Sequence, residues 1–412
     1  MRVLFTVSAW RGHWYPLVPL GWALQAAGHE VRVACAPSQS EGITGAGLTP
    51  APVLGEVDMV FLGRLQNVWN AQEGSWPYPA PPLHPVTGEP MGAVGDFTFA
   101  EFARESGRRL AEPTRQGFDA VVGFARRWRP DLVVHELLSL EGVLAARVLG
   151  VPSVLQLWGP VGAEEDEPGL RLRPEDPTGA FRRHGAGEFR SDFIEYVIDP
   201  CPAALRPPTS ATRLPMRYVP YNGPGEAPGE APGGEPGRRE RPQVCVAWGN
   251  SATRMVGRQA FVLPEVVEAV MSLDVEVVLT ANPADVRALG ELPPSVRVLE
   301  HRPLHLLLPH CDAVVHHGGA GTVMTAVAAG VPQLALPCAM DQFLNSRRMA
   351  ATGAAIDLPA HRVDVPSARA AVAELLGRDS YRAAAAELRR ASDELPSPLR
   401  LVGRLQELAG AR

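Results

Sequence analysis

Apolar and polar residues alternate along the chain in two repeating patterns. In the first half, short apolar runs rich in β-branched residues predict buried strands at residues 2–8 (RVLFTVS), 30–36 (EVRVACA), 131–135 (DLVVH) and 152–158. Between them, Leu17, Leu20 and Leu24 at helical spacing predict a helix over residues 16–27, closed by Gly28, and a second helix covers 140–149. The pattern starts afresh at residue 243. Strands are predicted at 243–248, 275–280, 296–300, 313–316 and 332–336, and helices at 263–271, 304–309 and 320–329. Strands alternating with helices imply parallel sheets with helical crossovers, an α/β architecture.

Two stretches break this rhythm. Residues 224–242 carry the repeat GEAPGEAP with no apolar periodicity, the composition of a solvated linker. The expected organisation is therefore a domain at 1–222, a linker at 223–242, a second domain at 243–395, and a C-terminal helix at 396–412. That helix is amphipathic over 398–409 and could pack on either domain. Residues 76–92 (WPYPAPPLHPVTGEPMG) hold six prolines, which forbid regular structure. They form either a surface loop or a lid whose aromatics, Trp76 and Tyr78, meet an apolar substrate.

Composition narrows the chemistry. A chain of 412 residues exceeds the ~250–300 at which single cores stop growing, which agrees with two domains. All 39 basic residues are Arg, so chemistry that needs a Lys, such as a Walker-type phosphate loop or a Schiff base, is excluded. The net charge of −6 comes without a basic block, which disfavours nucleic acid as a partner. The five cysteines are dispersed with no CxxC, so neither a disulfide framework nor a zinc site is expected. The first residues lack a signal-peptide pattern, and no segment approaches ~20 apolar residues. These features predict a cytoplasmic protein without a membrane span.

The richest stretch is residues 313–345 (AVVHHGGAGTVMTAVAAGVPQLALPCAMDQFLN). An apolar strand ends at His316-His317, and Gly318-Gly319-Ala320-Gly321 turn the chain into a helix near Thr322. Glycines let a ligand approach the backbone, and the helix start offers free N–H groups and a partial charge of ~+0.5. Together these predict a diphosphate site, to which His317 could donate a further hydrogen bond. Asp341-Gln342 follow the next strand, and a carboxylate beside an amide suits sugar hydroxyls.

HHGGAGT followed by AGVPQLALPCAMDQ resembles the donor signature of family-1 glycosyltransferases with the GT-B fold, most of all the actinomycete natural-product branch. The opening GHWYPLVPLGWALQAAGHEVRVA, the PDLVVHE segment and the AWGNS strand end resemble the same branch. The resemblance implies two Rossmann-like domains facing a central crevice and a metal-independent, inverting, hexosyltransferase-type enzyme. It would move a (deoxy)sugar from a dTDP-sugar to a hydroxyl of an apolar, polyketide-like aglycone in antibiotic biosynthesis. Donor contacts would come from Gly249, Asn250, Ser251, His301, Arg302, His317, Gly319, Gly321, Thr322, Asp341 and Gln342. At His301-Arg302 the family usually has an aromatic residue against the base. No metal and no cofactor beyond the substrate nucleotide sugar is implied, and the assembly would be a monomer or homodimer.

Transfer to a hydroxyl needs a base, because an alcohol is a poor nucleophile at neutral pH. His13, after the first strand, has the fitting residue type, with Glu136 as the carboxylate that orients it. Read singly, His13 could instead be a helix-start residue bonding backbone, and Glu136 an ordinary strand-end acid. Trp10, Trp14, Trp69, Trp76, Tyr78 and Trp158 are candidates for an aromatic acceptor pocket. Three alternatives share the motif: a C-glycosyltransferase acting on an aromatic polyketide, a nucleotide-sugar epimerase, and a non-catalytic helper protein with a vestigial fold.

Overall fold

The computed structural model describes the chain except residues 106, 171, 173–174, 227–239, 250, 300–301 and 411–412; of residues 108–110 and 251 it describes only the backbone. Two parallel sheets carry the architecture among the described residues. The first joins β1 (Arg2–Thr6), β2 (Glu30–Ala34), β3 (Thr49–Ala51), β4 (Leu132–His135), β5 (Ser153–Gln156), β6 (Tyr196–Asp199) and β7 (Thr212–Pro215), in the order β3-β2-β1-β4-β5-β6-β7. The second joins β8 (Gln243–Ala247), β9 (Glu276–Thr280), β10 (Val296–Val298), β11 (Ala313–His316), β12 (Gln333–Ala335) and β13 (Ala355–Asp357), in the order β10-β9-β8-β11-β12-β13. β4 and β11 are buried along their whole length, because helices cover both faces of each sheet.

In each sheet the order of the strands reverses once, between β1 and β4 and between β8 and β11. In an open α/β sheet such a reversal leaves a crevice at the carboxyl ends of the two strands. All four of those ends lead into motifs read from sequence. β1 runs to His13, β4 to Glu136, β8 to Gly249 and β11 to His317. The β1–β4 register pairs Thr6 with His135, so the segments bearing His13 and Glu136 emerge side by side.

The helices that matter here, in chain order, are α1 (Val18–Ala26), α2 (Met59–Gln72), α3 (Leu140–Leu149), α4 (Ser251–Val256), α5 (Ala320–Ala329), α6 (Asp341–Ala351) and α7 (Pro398–Gly410). α3 and α5 end alike. Gly150 (φ 70°) and Gly330 (φ 71°) adopt the left-handed conformation, and a Val-Pro pair then leads into the next strand. The side on which α7 packs was left open by the sequence. Its Leu401, Val402 and Leu405 lie in the core of the first half with Leu17, Leu20 and Leu24. The chain thus returns to its first half after completing its second. Among the described residues no helix is long and apolar enough to cross a membrane.

Candidate functional site

Between the two halves lies a cavity of about 530 Å³. Trp10, Gly12, His13, Leu138 and Trp158 line it from the first half, together with Met59, Leu62, Leu65 and Trp69 of α2. The second half contributes Met255, His317, Gly319, Gly321, Thr322, Met340, Asp341 and Gln342. A larger cavity, about 820 Å³, opens in the first half and contains none of the motif residues; its Glu164, Asp176 and Glu188 are already bonded to neighbouring groups.

On the second half the geometry follows from β11. Gly318 takes φ +81°, which swings the chain from the strand into α5, with Gly319 as its N-cap. His316 and His317 then separate in role. His316 is fully buried, accepts Gly318 N–H at Nδ1 (2.9 Å) and pairs through Nε2 with Gln333 Oε1 (2.9 Å), so both ring nitrogens are used inside the core. His317 accepts Gly249 N–H at Nδ1 (3.3 Å), which puts the proton of its neutral ring on Nε2. Burial lowers its pKa to about 4, so the ring is neutral at pH 7 and Nε2–H is a fixed donor. A Cβ on Gly249 would stand 2.4 Å from His317 Cε1, and one on Gly319 2.8 Å from Nε2. Both positions therefore require glycine for packing against His317.

α6 begins at Asp341, whose Oδ2 accepts from Asn345 Nδ2 (3.2 Å) and whose pKa burial raises to about 6. Gln342 Oε1 accepts Cys338 N–H (2.9 Å) and Ala339 N–H (3.3 Å). Its amide orientation is thereby fixed, leaving the NH₂ group for a ligand. Met340, just before α6, has φ +53°, a rare conformation for a residue with a side chain.

On the first half, His13 stacks on Trp158 (centroids 4.0 Å apart, planes at 11°). Its Nδ1 is 2.9 Å from Ser8 Oγ and 3.9 Å from Glu136 Oε2. In place of the direct His13–Glu136 hydrogen bond expected from sequence, His13 Nδ1 shares one with Ser8 Oγ. The reason is that Glu136 is already committed, with Oε1 accepting Ser8 N–H (2.9 Å) and Oε2 accepting Leu138 N–H (2.9 Å). Burial pushes Glu136 up to about 7 and His13 down to about 3. Sequence reasoning missed Ser8. Its signal was a hydroxyl residue just past the carboxyl end of β1.

Several expected site residues lie elsewhere. Trp14 is buried in the first-half core, with Nε1 donating to Gln39 Oε1 (3.0 Å); its helical position turns it away from the cleft that Trp10 and His13 face. Trp76 and Tyr78 also do not line the cavity. The proline-rich segment carries both against the core of the second half, where Tyr78 is buried and Trp76 packs beside it. Arg302 turns toward the linker, donating to Glu226 O (2.8 Å). Asn250 and His301 lie outside the described residues, as does most of the linker, and Ser251 is seen only as the first residue of α4. The apolar wall from α2, with Phe99, Leu172 and Met255, carries no motif and was not foreseen, apart from Trp69.

Comparison with known proteins bears on the family and the fold. Family models for the C-terminal and N-terminal domains of "Erythromycin biosynthesis protein CIII-like" proteins match residues 264–408, and 22–69 with 108–249. The chain is 34% identical to the aklavinone 7-beta-L-rhodosaminyltransferase of Streptomyces galilaeus, covering 99% of this chain and 96% of that protein. It is 35% identical to the 3-alpha-mycarosylerythronolide B desosaminyl transferase of Saccharopolyspora erythraea, covering 100% and 99%. Among solved structures, the spinosyn rhamnosyltransferase SpnG complexed with thymidine diphosphate aligns with a TM-score of 0.76 at 30% identity, covering 98% of this chain and 100% of that one. With architecture, motifs and full-length relatives in agreement, the chain belongs to the EryCIII-like family of GT-B glycosyltransferases of actinomycete antibiotic biosynthesis.

Proposed function

We propose that this enzyme transfers a deoxysugar from a dTDP-sugar to a hydroxyl of an apolar, polyketide-like aglycone, with inversion at the anomeric carbon. The observation that carries the proposal is a single cavity. In it, His13 on an apolar, tryptophan-rich wall faces a helix start, a neutral histidine donor, and an Asp-Gln pair.

The donor's diphosphate lies at the start of α5, held by backbone N–H groups near Gly321 and Thr322 and by His317 Nε2–H. Asp341 and the Gln342 amide hold the sugar hydroxyls. The aglycone packs against Trp10, Trp69, Trp158 and the α2 side chains. His13 donates Nδ1–H to Ser8 Oγ, which leaves the Nε2 lone pair as the base. As Nε2 takes the hydroxyl proton, the acceptor oxygen forms its bond to the anomeric carbon. The bond from that carbon to the diphosphate oxygen breaks on the opposite face, and dTDP leaves with the electron pair. The helix start and His317 stabilise the charge that develops there, and Glu136 stabilises the imidazolium.

Support for dTDP comes from relatives solved with it, SpnG and VinC. The experiment is a calorimetric panel of dTDP, UDP and GDP, followed by transfer assays with aromatic and macrocyclic acceptors and NMR assignment of the product anomer. The expected result is preferential dTDP binding and an acid-labile product of inverted configuration. Retained configuration overturns the in-line step. A product that survives acid hydrolysis points to transfer to carbon.

A further inference from the structure

The proline-rich segment presents a residue for which the mechanism above has no use. It leaves the end of α2 in the first half, yet Tyr78 is buried in the core of the second half among side chains such as Val262 and Ala360. Its hydroxyl donates to Cys338 O at 2.9 Å. The segment is seated further along as well. Leu83 lies against Gly257, where a Cβ would come within 3.1 Å of Leu83 Cδ2.

Cys338 starts the turn that delivers Asp341. Its N–H donates to Gln342 Oε1 (2.9 Å) and its carbonyl accepts from Tyr78, so the same peptide neighbourhood is braced from within the turn and from the other half of the molecule. Two residues later Met340 holds φ +53°. A non-glycine residue in that region costs roughly 1–3 kcal/mol and persists only where its surroundings fix it. The Tyr78 hydroxyl holds the carbonyl two residues before Met340.

We infer that Tyr78 is a positioning residue for the donor sugar: reaching across from the acceptor half, it fixes the Cys338–Asp341 turn and so sets the geometry with which Asp341 and Gln342 grip the sugar. This rests on the reading of Asp341 as a sugar ligand. Among the described residues the Tyr78 hydroxyl bonds Cys338 O and its ring meets Trp76 and His361, so its effect is expected on the sugar and not on the diphosphate.

The test measures the affinity of the full-length enzyme for dTDP and for dTDP-glucose in Tyr78→Phe, Tyr78→Met and Asp341→Asn. Both Tyr78 variants keep an apolar filler and lose the hydroxyl. Loss of one buried hydrogen bond predicts about a five-fold weaker affinity for dTDP-glucose in Y78F, with dTDP affinity unchanged. Wild-type dTDP-glucose affinity in Y78F, with D341N weakened, overturns the role of Tyr78 alone. Loss of dTDP binding in both Tyr78 variants makes the residue a folding element and also overturns it. Wild-type dTDP-glucose affinity in D341N removes the sugar-grip reading itself, and the inference with it.

Discussion

At the scale of single residues, burial decides which of two similar groups is available for chemistry. His316 and His317 are adjacent and both buried, yet only His317 keeps a ring nitrogen for a ligand, because the partners of His316 are all internal. The motif made His317 legible; the partners of His316 needed the fold. Glu136 gives a testable pH dependence. Its pKa is raised to about 7 by burial, so it is mostly protonated below pH 7 and charged above. His13, lowered to about 3, stays neutral throughout that range. On the proposed mechanism, in which ionised Glu136 stabilises the imidazolium, the transfer rate is expected to rise between pH 6 and 8. In Glu136→Gln that rise is lost and the rate falls on the order of 10²-fold. Stability moves the other way. Between roughly pH 4.5 and 7 the folded state holds a proton on Glu136 that the unfolded state has released, so this group's contribution falls as pH rises. Glu136→Gln removes that fall, which thermal unfolding across the window measures.

At the scale of elements, sequence legibility followed glycine punctuation and apolar runs. α3 and α5 were read with their observed bounds, because a left-handed glycine ends each and a buried strand follows. α2 was not read, since Asn67 and Asn70 interrupt its apolar face. Those polar positions have a tertiary purpose. Asn67 Nδ2 donates to Met255 O (3.0 Å), and Gly63 leaves room for the Met255 side chain, so α2 lies directly on α4. A second tie crosses at α6. Two turns after Asp341, Arg348 donates to Glu165 through Nη1 (2.7 Å) and Nη2 (2.8 Å), and to Pro160 O. Glu165 is buried, so Arg348→Ala strands its charge, at an expected cost of about 3 kcal/mol. Arg348→Lys restores only part, because one ammonium cannot reproduce the paired contact. Unfolding midpoints of the two variants check this. Equal stability of Arg348→Ala and wild type would show that the pair contributes nothing net.

At the scale of the whole molecule, the two α/β halves were legible because each repeats the local strand–helix rhythm. What joins them was not, since periodicity reports only on neighbours in sequence. The return of α7 to the first half and the seating of Tyr78 in the second both depend on surfaces hundreds of residues away. The same holds for the cleft, where motifs supplied the polar groups and unmarked side chains of α2 supplied the apolar wall. The central claim is that this cleft separates donor binding from proton removal, with His13 responsible only for the latter. The most direct measurement compares wild type and His13→Ala in dTDP-sugar affinity and in aglycone-dependent release of dTDP. The expected result is unchanged affinity with release lost by at least ~10²-fold; release at the wild-type rate would contradict the assignment of His13 as the base.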